Sequence, residues 1–223
     1  MKTRTLAAPC SLLGWDTDFW GFPIARIDSQ SLSEELVEDA DAWCRLNGVR
    51  CLYFLAHSDD PETMHLAANR GFRLVDVRLA LGITLDRREQ AAPTSACRSG
   101  TSIRQSRESD MQALRAIAGA SHRSSRFYAD ANFPRARCDL LYETWIEVSC
   151  RGYADTVLVA ELGGKPVGYV SCHIERKGLQ AEGRIGLFAV SGEAQGDGIG
   201  RSLLLSALAW FGAQTAGLVP VVT

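Results

Sequence analysis

The sequence predicts an α/β protein of the α+β kind, organised as two units, each with a mixed sheet flanked by helices. Three observations carry this. Short apolar strands alternate with helix-period segments along the chain, the pattern of sheets covered by helices. At 223 residues the chain exceeds the usual single-domain size of roughly 100–200 residues without reaching two full ones. A polar, small-residue stretch, DRREQAAPTSACRSGTS (86–102), interrupts the pattern, and its Pro93 and Gly100 suit a linker. We therefore expect a first unit over 1–88, a linker over 89–102 and a second unit over 103–223.

In the first unit, FPIARID (22–28) reads as a strand. Ser31 and Glu34 have capping-box spacing and would open a helix through Leu36, Val37, Ala40 and Trp43, with Gly48 as its stop. VRCLYFLA (49–56) is a continuous apolar run suited to a strand covered on both faces. Pro61 then fits a first helical turn and Gly71 a helix exit. FRLVDVRLALGITL (72–85) alternates, with Val77, Leu79, Leu81, Ile83 and Leu85 on one face, and closes a βαβαβ unit.

The second unit opens with a short strand at Ile103 and a helix from Asp110 to His122, with Asp110 as its cap. A polar stretch, SHRSSRFYADANFPR, follows. ARCDLLYETWIEVSCRG (136–152) is a helix with Leu141, Thr144, Trp145 and Val148 on one stripe. DTVLVAELGGKPVGYVSCHIERK is a hairpin, because Gly163-Gly164 supplies the positive φ angles of a tight turn. Next come a strand over 183–190, a glycine-rich loop, a helix over 198–214 and the start of a strand in LVPVVT.

Composition narrows the function classes. The net charge of −2 is spread without long runs, which excludes the basic footprint of a nucleic-acid binder. Seven cysteines, with no CxxC pair, read as reduced thiols of a cytoplasmic protein. No metal site is expected: the histidines are scattered, and Cys172 and His173 would point to opposite faces of a strand. Ser202 to Val222 carries no charge, but Gly212, Gln214, Thr215, Gly217 and Pro220 break it into helix and strand, so no membrane span is expected.

The loop SGEAQGDGIGRS (191–202) lies between a strand and a helix, where unpaired N–H groups face an anion. A Walker A loop is excluded, because Gln195 stands where glycine is needed and Arg201 where lysine is needed. A dinucleotide fingerprint fits weakly, because Gly196, Gly198 and Gly200 are spaced GxGxG. A glycine-rich turn without a ligand is the bland alternative. The third reading is Gln-x-x-Gly-x-Gly over Gln195, Gly196, Asp197, Gly198, Ile199 and Gly200, directly after an LFAV strand.

With that loop and the order strand, two helices, hairpin, strand before it, the second unit resembles the GNAT acetyltransferase superfamily. LLGWDTDFWGFPIARI (12–27) and the region 125–161 further resemble the TDP-fucosamine acetyltransferases, bacterial enzymes that acetylate a TDP-linked 4-amino-4,6-dideoxygalactose. The resemblance implies acetyl-CoA as co-substrate: the main chain of Phe188, Ala189 and Val190 along the pantetheine arm, and Gln195 to Arg201 around the pyrophosphate. It implies a backbone N–H near Ala189 or Val190 as oxyanion donor, and a nucleotide-linked amino sugar as acceptor, held by Arg126, Tyr128 and Asp130 or facing a merely solvated loop there. Trp15, Phe19, Trp20 and Phe22 are expected as packing aromatics.

Many relatives place an acidic base where Arg184 stands here; Glu182, two residues earlier, is the substitute candidate beside a water-relayed base. The family's general-acid tyrosine lies on a helix after the next strand, and the sequence reaches Thr223 within that strand. The last helix and strands of the second unit are therefore expected to be missing, and the 223-residue chain is expected to bind acetyl-CoA weakly and turn over poorly. Transfer to another amine (amino acid, polyamine or protein N-terminus) and a non-catalytic acyl-CoA-binding module are the alternatives. The sequence leaves a homodimer open.

Overall fold

A computed structural model describes residues 8–85, 98–177, 180–214 and 219–222. The chain forms two compact units, Met1–Leu74 and Val75–Thr223. The first holds a three-stranded sheet in the order β1 (Cys10–Leu12), β2 (Ile24–Ile27), β3 (Cys51–Tyr53). The first pair is antiparallel and the second parallel. Helix α1 (Gly14–Trp20) joins β1 to β2, and α2 (Glu34–Leu46) makes the crossover that a parallel pair requires. Its apolar stripe closes a small core of Cys10, Ala25, Ile27 and Ala40, with Trp43, Leu52 and Phe54 packed against it.

The cap of α2 is Ser33, whose hydroxyl accepts from the Leu36 N–H at 3.2 Å, rather than the Ser31 read from the capping-box spacing. Helix α3 (Pro61–Asn69) starts where expected, with Pro61 in the first turn and Asp60 accepting from the Thr63 N–H at 3.0 Å. Gly71, at φ 84°, takes the left-handed exit conformation. The N-terminal aromatics do pack: Trp15 stacks on Phe19 at 5.2 Å, and Trp20 is buried.

The second unit is a six-stranded sheet in the order β4-β9-β8-β7-β6-β5. Its strands are β4 (Gly82–Leu85), β5 (Thr101–Gln105), β6 (Thr156–Leu162), β7 (Lys165–Lys177), β8 (Gln180–Val190) and β9 (Val219–Val222). The alternating run over 72–85 thus contributes only its last four residues as strand, and these pair with β9 in the second sheet instead of closing the first. The expected linker begins among residues outside those described, and its last residues already belong to β5. Gly163 and Gly164, at φ 57° and 80°, make the β6–β7 turn as read.

Helices α4 (Met111–Ala120), α5 (Arg126–Ala129) and α6 (Arg135–Val148) precede β6, and α7 (Ile199–Gln214) connects β8 to β9. Alternation along β7 assigns the faces. Val170 and Cys172 join Leu203, Ala207 and Phe211 of α7 in the main core. Tyr169, one step out of phase, reaches His122 at the end of α4 on the opposite face. On α6 the buried residues are Cys138, Leu141, Tyr142 and Ile146, whereas the expected Val148 is exposed.

Between β7 and β8 the register shifts: Phe188 opposes Val170, but Ile185 opposes Cys172. The extra residue on β8 makes a bulge, bridged by the Leu187 N–H donating to Ser171 Oγ at 2.7 Å. Gly186 sits in it, and a Cβ there would lie 2.6 Å from His173 Nε2 and 2.8 Å from Ser171 Oγ. Gly186→Val should therefore cost about 1–3 kcal/mol through overpacking, seen as a lower urea midpoint with an unchanged slope.

Candidate functional site

The site starts at the end of β8. Ser191 N–H donates to Val167 O at 2.8 Å, and Ala189 opposes Tyr169, so the odd-numbered residues of this strand end turn their polar backbone groups toward β7. The N–H and C=O groups of Phe188 and Val190 point the other way. On that side β9 pairs only with Gly183 and Arg184, so residues 185–190 of β8 have no β9 partner among the described residues. An open strand edge results, with alternate backbone groups able to bind an extended ligand.

That edge borders a groove of about 720 Å³. One wall is the end of α4, from Ala116 through Ser121 to His122; the other is Phe188 to Glu193 with Gln195. The groove runs to the glycine loop. Gly196 and Gly198 adopt φ 87° and 75°, conformations that L side chains resist, and the alternation lets successive N–H groups converge. Helix α7 begins immediately afterwards, its first-turn N–H groups unpaired within the helix and its dipole positive toward the loop. Gly200 is less constrained, since a Cβ there would meet only Phe188 and Val190 at ordinary contact distance.

Two loop side chains have partners of their own. Gln195 Nε2 donates to Val190 O at 3.0 Å, tying the loop back to the strand end. Asp197 pairs with Arg98 at 3.0 Å, and its carbonyl accepts from the Arg98 N–H at 3.1 Å. The ion pair offsets a carboxylate that would otherwise repel a phosphate. Arg201 is exposed on the first turn of α7.

The sequence-predicted acceptor residues lie on and just after α5. Tyr128 donates to Asp139, and burial together with that carboxylate pushes its phenol above the ordinary range. Asp130 accepts from the Asn132 backbone and side chain at 3.0 and 2.9 Å. The Arg126 guanidinium lies 4.4 Å from the Phe127 ring centre. None of the three lines the groove. Glu182 on β8 opposes Glu175 of β7 and lies about 20 Å from Phe188 at the usual rise per residue. It does not line the groove either, while Arg184 pairs with Glu175 at 3.2 Å.

His122, which no spacing in the sequence marks, lines the groove. Its ring stacks on Tyr142 at 4.8 Å, and its Nε2 lies 3.1 Å from the Tyr169 hydroxyl. Its backbone has φ 54°, the one positive φ of a non-glycine residue among those described. Burial lowers its pKa, which favours the neutral ring at pH 7. Cys10, Cys44, Cys51, Cys138, Cys150 and Cys172 are free thiols, and burial pushes Cys172 up to about 12, leaving it inert. No helix among the described residues is long and apolar enough to cross a membrane.

Residues 114–222 match the acetyltransferase (GNAT) family. Over 201 residues the chain is 30% identical to the dTDP-fucosamine acetyltransferase of Escherichia coli O6:H1, covering 89% of this chain and 78% of that protein. The chain belongs to the GNAT acetyltransferase family. A GCN5-related N-acetyltransferase from Kribbella flavida shares the fold over 98% of this chain and 78% of its own, with a TM-score of 0.59 at 14% identity. A conserved Staphylococcus epidermidis protein of unknown function does so with a TM-score of 0.58 at 15% identity, over 98% of this chain and 82% of its own. As a GNAT protein, the chain is an acyltransferase of the N-acetyltransferase type.

Proposed function

We propose that this GNAT protein transfers acetyl from acetyl-CoA to the amine of a nucleotide-linked amino sugar. The observation that carries the acetyl-CoA half is the β8 edge at Phe188 and Val190, which has no strand partner among the described residues and borders a groove reaching Gln195, the residue before the positive-φ glycines Gly196 and Gly198. Bound there, acetyl-CoA supplies the thioester. The Phe188 C=O pairs with an amide of the pantetheine arm, and the Val190 N–H is the nearest candidate for stabilising negative charge on the thioester oxygen. Ala189, whose polar groups face β7, serves as a small wall instead. Backbone N–H groups from Gly196 to Arg201 hold the pyrophosphate, with the Arg201 charge in support.

The acceptor half is supported by the E. coli relative, whose name specifies an amino-sugar acetyltransferase and whose match spans both units. One observation favours a different amine: Tyr128 and Asp130 are engaged in internal hydrogen bonds rather than aimed at the groove. Thermal shift against TDP-amino sugars, amino acids and polyamines separates the readings. A ligand near a hundredfold of its Kd adds about 2.7 kcal/mol of stability, or roughly 5 °C or more for a chain of this size. The expected result is such a shift with a TDP-amino sugar; a shift only with free amines would move the acceptor to that class.

A further inference from the structure

We propose that His122 accepts the proton of the incoming amine in this groove, with Tyr169 as the residue that positions it. The proposal rests on the acetyl-transfer reading and adds a catalytic group to it. His122 occupies the α4 wall, facing the Phe188–Val190 edge across the groove, the side from which an acceptor can approach a thioester held on that edge. A non-glycine residue at φ 54° is uncommon, and such backbone persists where surrounding contacts over-determine it. Here two contacts hold the ring: the stack on Tyr142 from α6, and the hydrogen bond between Nε2 and Tyr169 Oη from β7.

Tyr169 is fully buried on β7, and its Cα partner is Ala189 of β8, so the imidazole is fixed to the strand beside the one that would carry the thioester. Burial raises the Tyr169 pKa further, so the phenol stays protonated and neutral. In the tautomer this role requires, Nε2–H donates to Tyr169 Oη, which leaves the lone pair on Nδ1. The amine nitrogen bonds to the acetyl carbonyl carbon, the C–S bond breaks with its electron pair leaving on the CoA sulfur, and the amine proton passes to Nδ1. The imidazolium then returns that proton to solvent.

The rivals are worse placed. Glu182 and Arg184 do not line the groove. His173 is 8% exposed and does not line the groove. Around His122, Tyr142 and Tyr169 are the titratable groups packed on its ring, Arg123 follows it in the chain, and Glu193 is the charged residue across the groove.

His122→Asn and His122→Gly keep a residue suited to positive φ. Calorimetry should show acetyl-CoA binding within about twofold of the parent in both, since neither change touches the loop or the strand edge. Single-turnover transfer to an amine panel, read by mass spectrometry, should fall about a hundredfold with an unchanged acetyl-CoA dependence, and added imidazole should restore His122→Gly. Diethyl pyrocarbonate, which acylates neutral imidazole, should modify His122 in the parent near pH 7, with protection by acetyl-CoA. Transfer by His122→Asn within threefold of the parent, no imidazole rescue of a folded His122→Gly, or a His122 that resists the reagent would each overturn the proposal. Absence of acetyl-CoA binding by the parent would instead overturn the acetyl-transfer reading beneath it.

Discussion

Arg104→Met is expected to destabilise the second unit by about 3–5 kcal/mol, the cost of leaving a buried carboxylate without its partner. The Arg104 side chain on β5 is 17% exposed and donates to Asp110 at 2.7 and 2.9 Å, and through Nε to Glu161 of β6 at 2.8 Å. Asp110 also accepts from the Arg107 N–H at 2.8 Å, closing the turn that leads into α4. The arginine therefore fixes both a strand pair and the start of the helix whose far end carries His122. Arg104→Lys should recover only part of the loss, because an ammonium cannot make the forked contact.

The pH dependence of that loss has a definite sign. Hydrogen bonding from Arg104, helped by the Arg107 N–H, holds the Asp110 carboxyl below its ordinary value in the folded chain. A carboxyl depressed on folding contributes stability above its unfolded pKa, near 3.9, and that contribution disappears as pH falls through the folded value. Urea unfolding of Arg104→Met and the parent should differ most at pH 6–7 and converge as the carboxyl protonates at low pH. A difference that stayed constant down to pH 2 would show that lost packing of the arginine stem, not the ion pair, is responsible.

Gly198→Val is the variant expected to act most strongly on the site itself. At φ 75° a β-branched residue is an outlier, so the loop must rearrange to accommodate it. Rearrangement displaces N–H groups proposed to bind pyrophosphate, each worth roughly 1.5–3 kcal/mol as a hydrogen bond to a charged group. Losing one or two weakens acetyl-CoA binding by about a hundredfold or more. Gly200→Ala makes the matched control: a Cβ there meets only side-chain carbons at 3.6 and 3.7 Å, and binding should change little. Equal losses in the two variants would contradict the assignment of the loop's geometry to anion binding.

Much of the second unit was legible because its signals are local. Paired glycines mark the β6–β7 turn, and a strand, a glycine loop and a helix uncharged beyond Arg201 succeed one another within 183–214. Non-local features were not legible in the same way. Alternation over 72–85 reads as one strand, yet only Gly82–Leu85 pairs, and its partner β9 is far along the chain; Leu74, Val77, Leu79 and Leu81 are 68–75% exposed. Periodicity reports which residues are apolar, not whether a neighbour exists to cover them. The cap of α2 moved from Ser31 to Ser33 because both serines satisfy the same local preference.

The candidate site divides along the same line. The glycine loop and strand end proposed for acetyl-CoA could be named from residue order, whereas the Arg104–Asp110–Glu161 cluster needed three segments brought together. His122 had only a weak sequence signal, a histidine just past an apolar helix, and its significance emerges from a positive φ, a stacked tyrosine and the register that places Tyr169 opposite Ala189. Arg126, Tyr128 and Asp130, named from the resemblance, lie on and just after α5; Tyr128 and Asp130 hydrogen-bond to Asp139 and Asn132, and none of the three lines the groove.

The most direct test of the proposed acetyl-CoA site is a calorimetric titration of the parent chain with acetyl-CoA, repeated with Gly198→Val. The expected result is one-to-one binding by the parent and a loss of about a hundredfold in the variant. Absence of binding by the folded parent, or equal affinity in the two proteins, would contradict the assignment of the β8 edge and the glycine loop as the acetyl-CoA site.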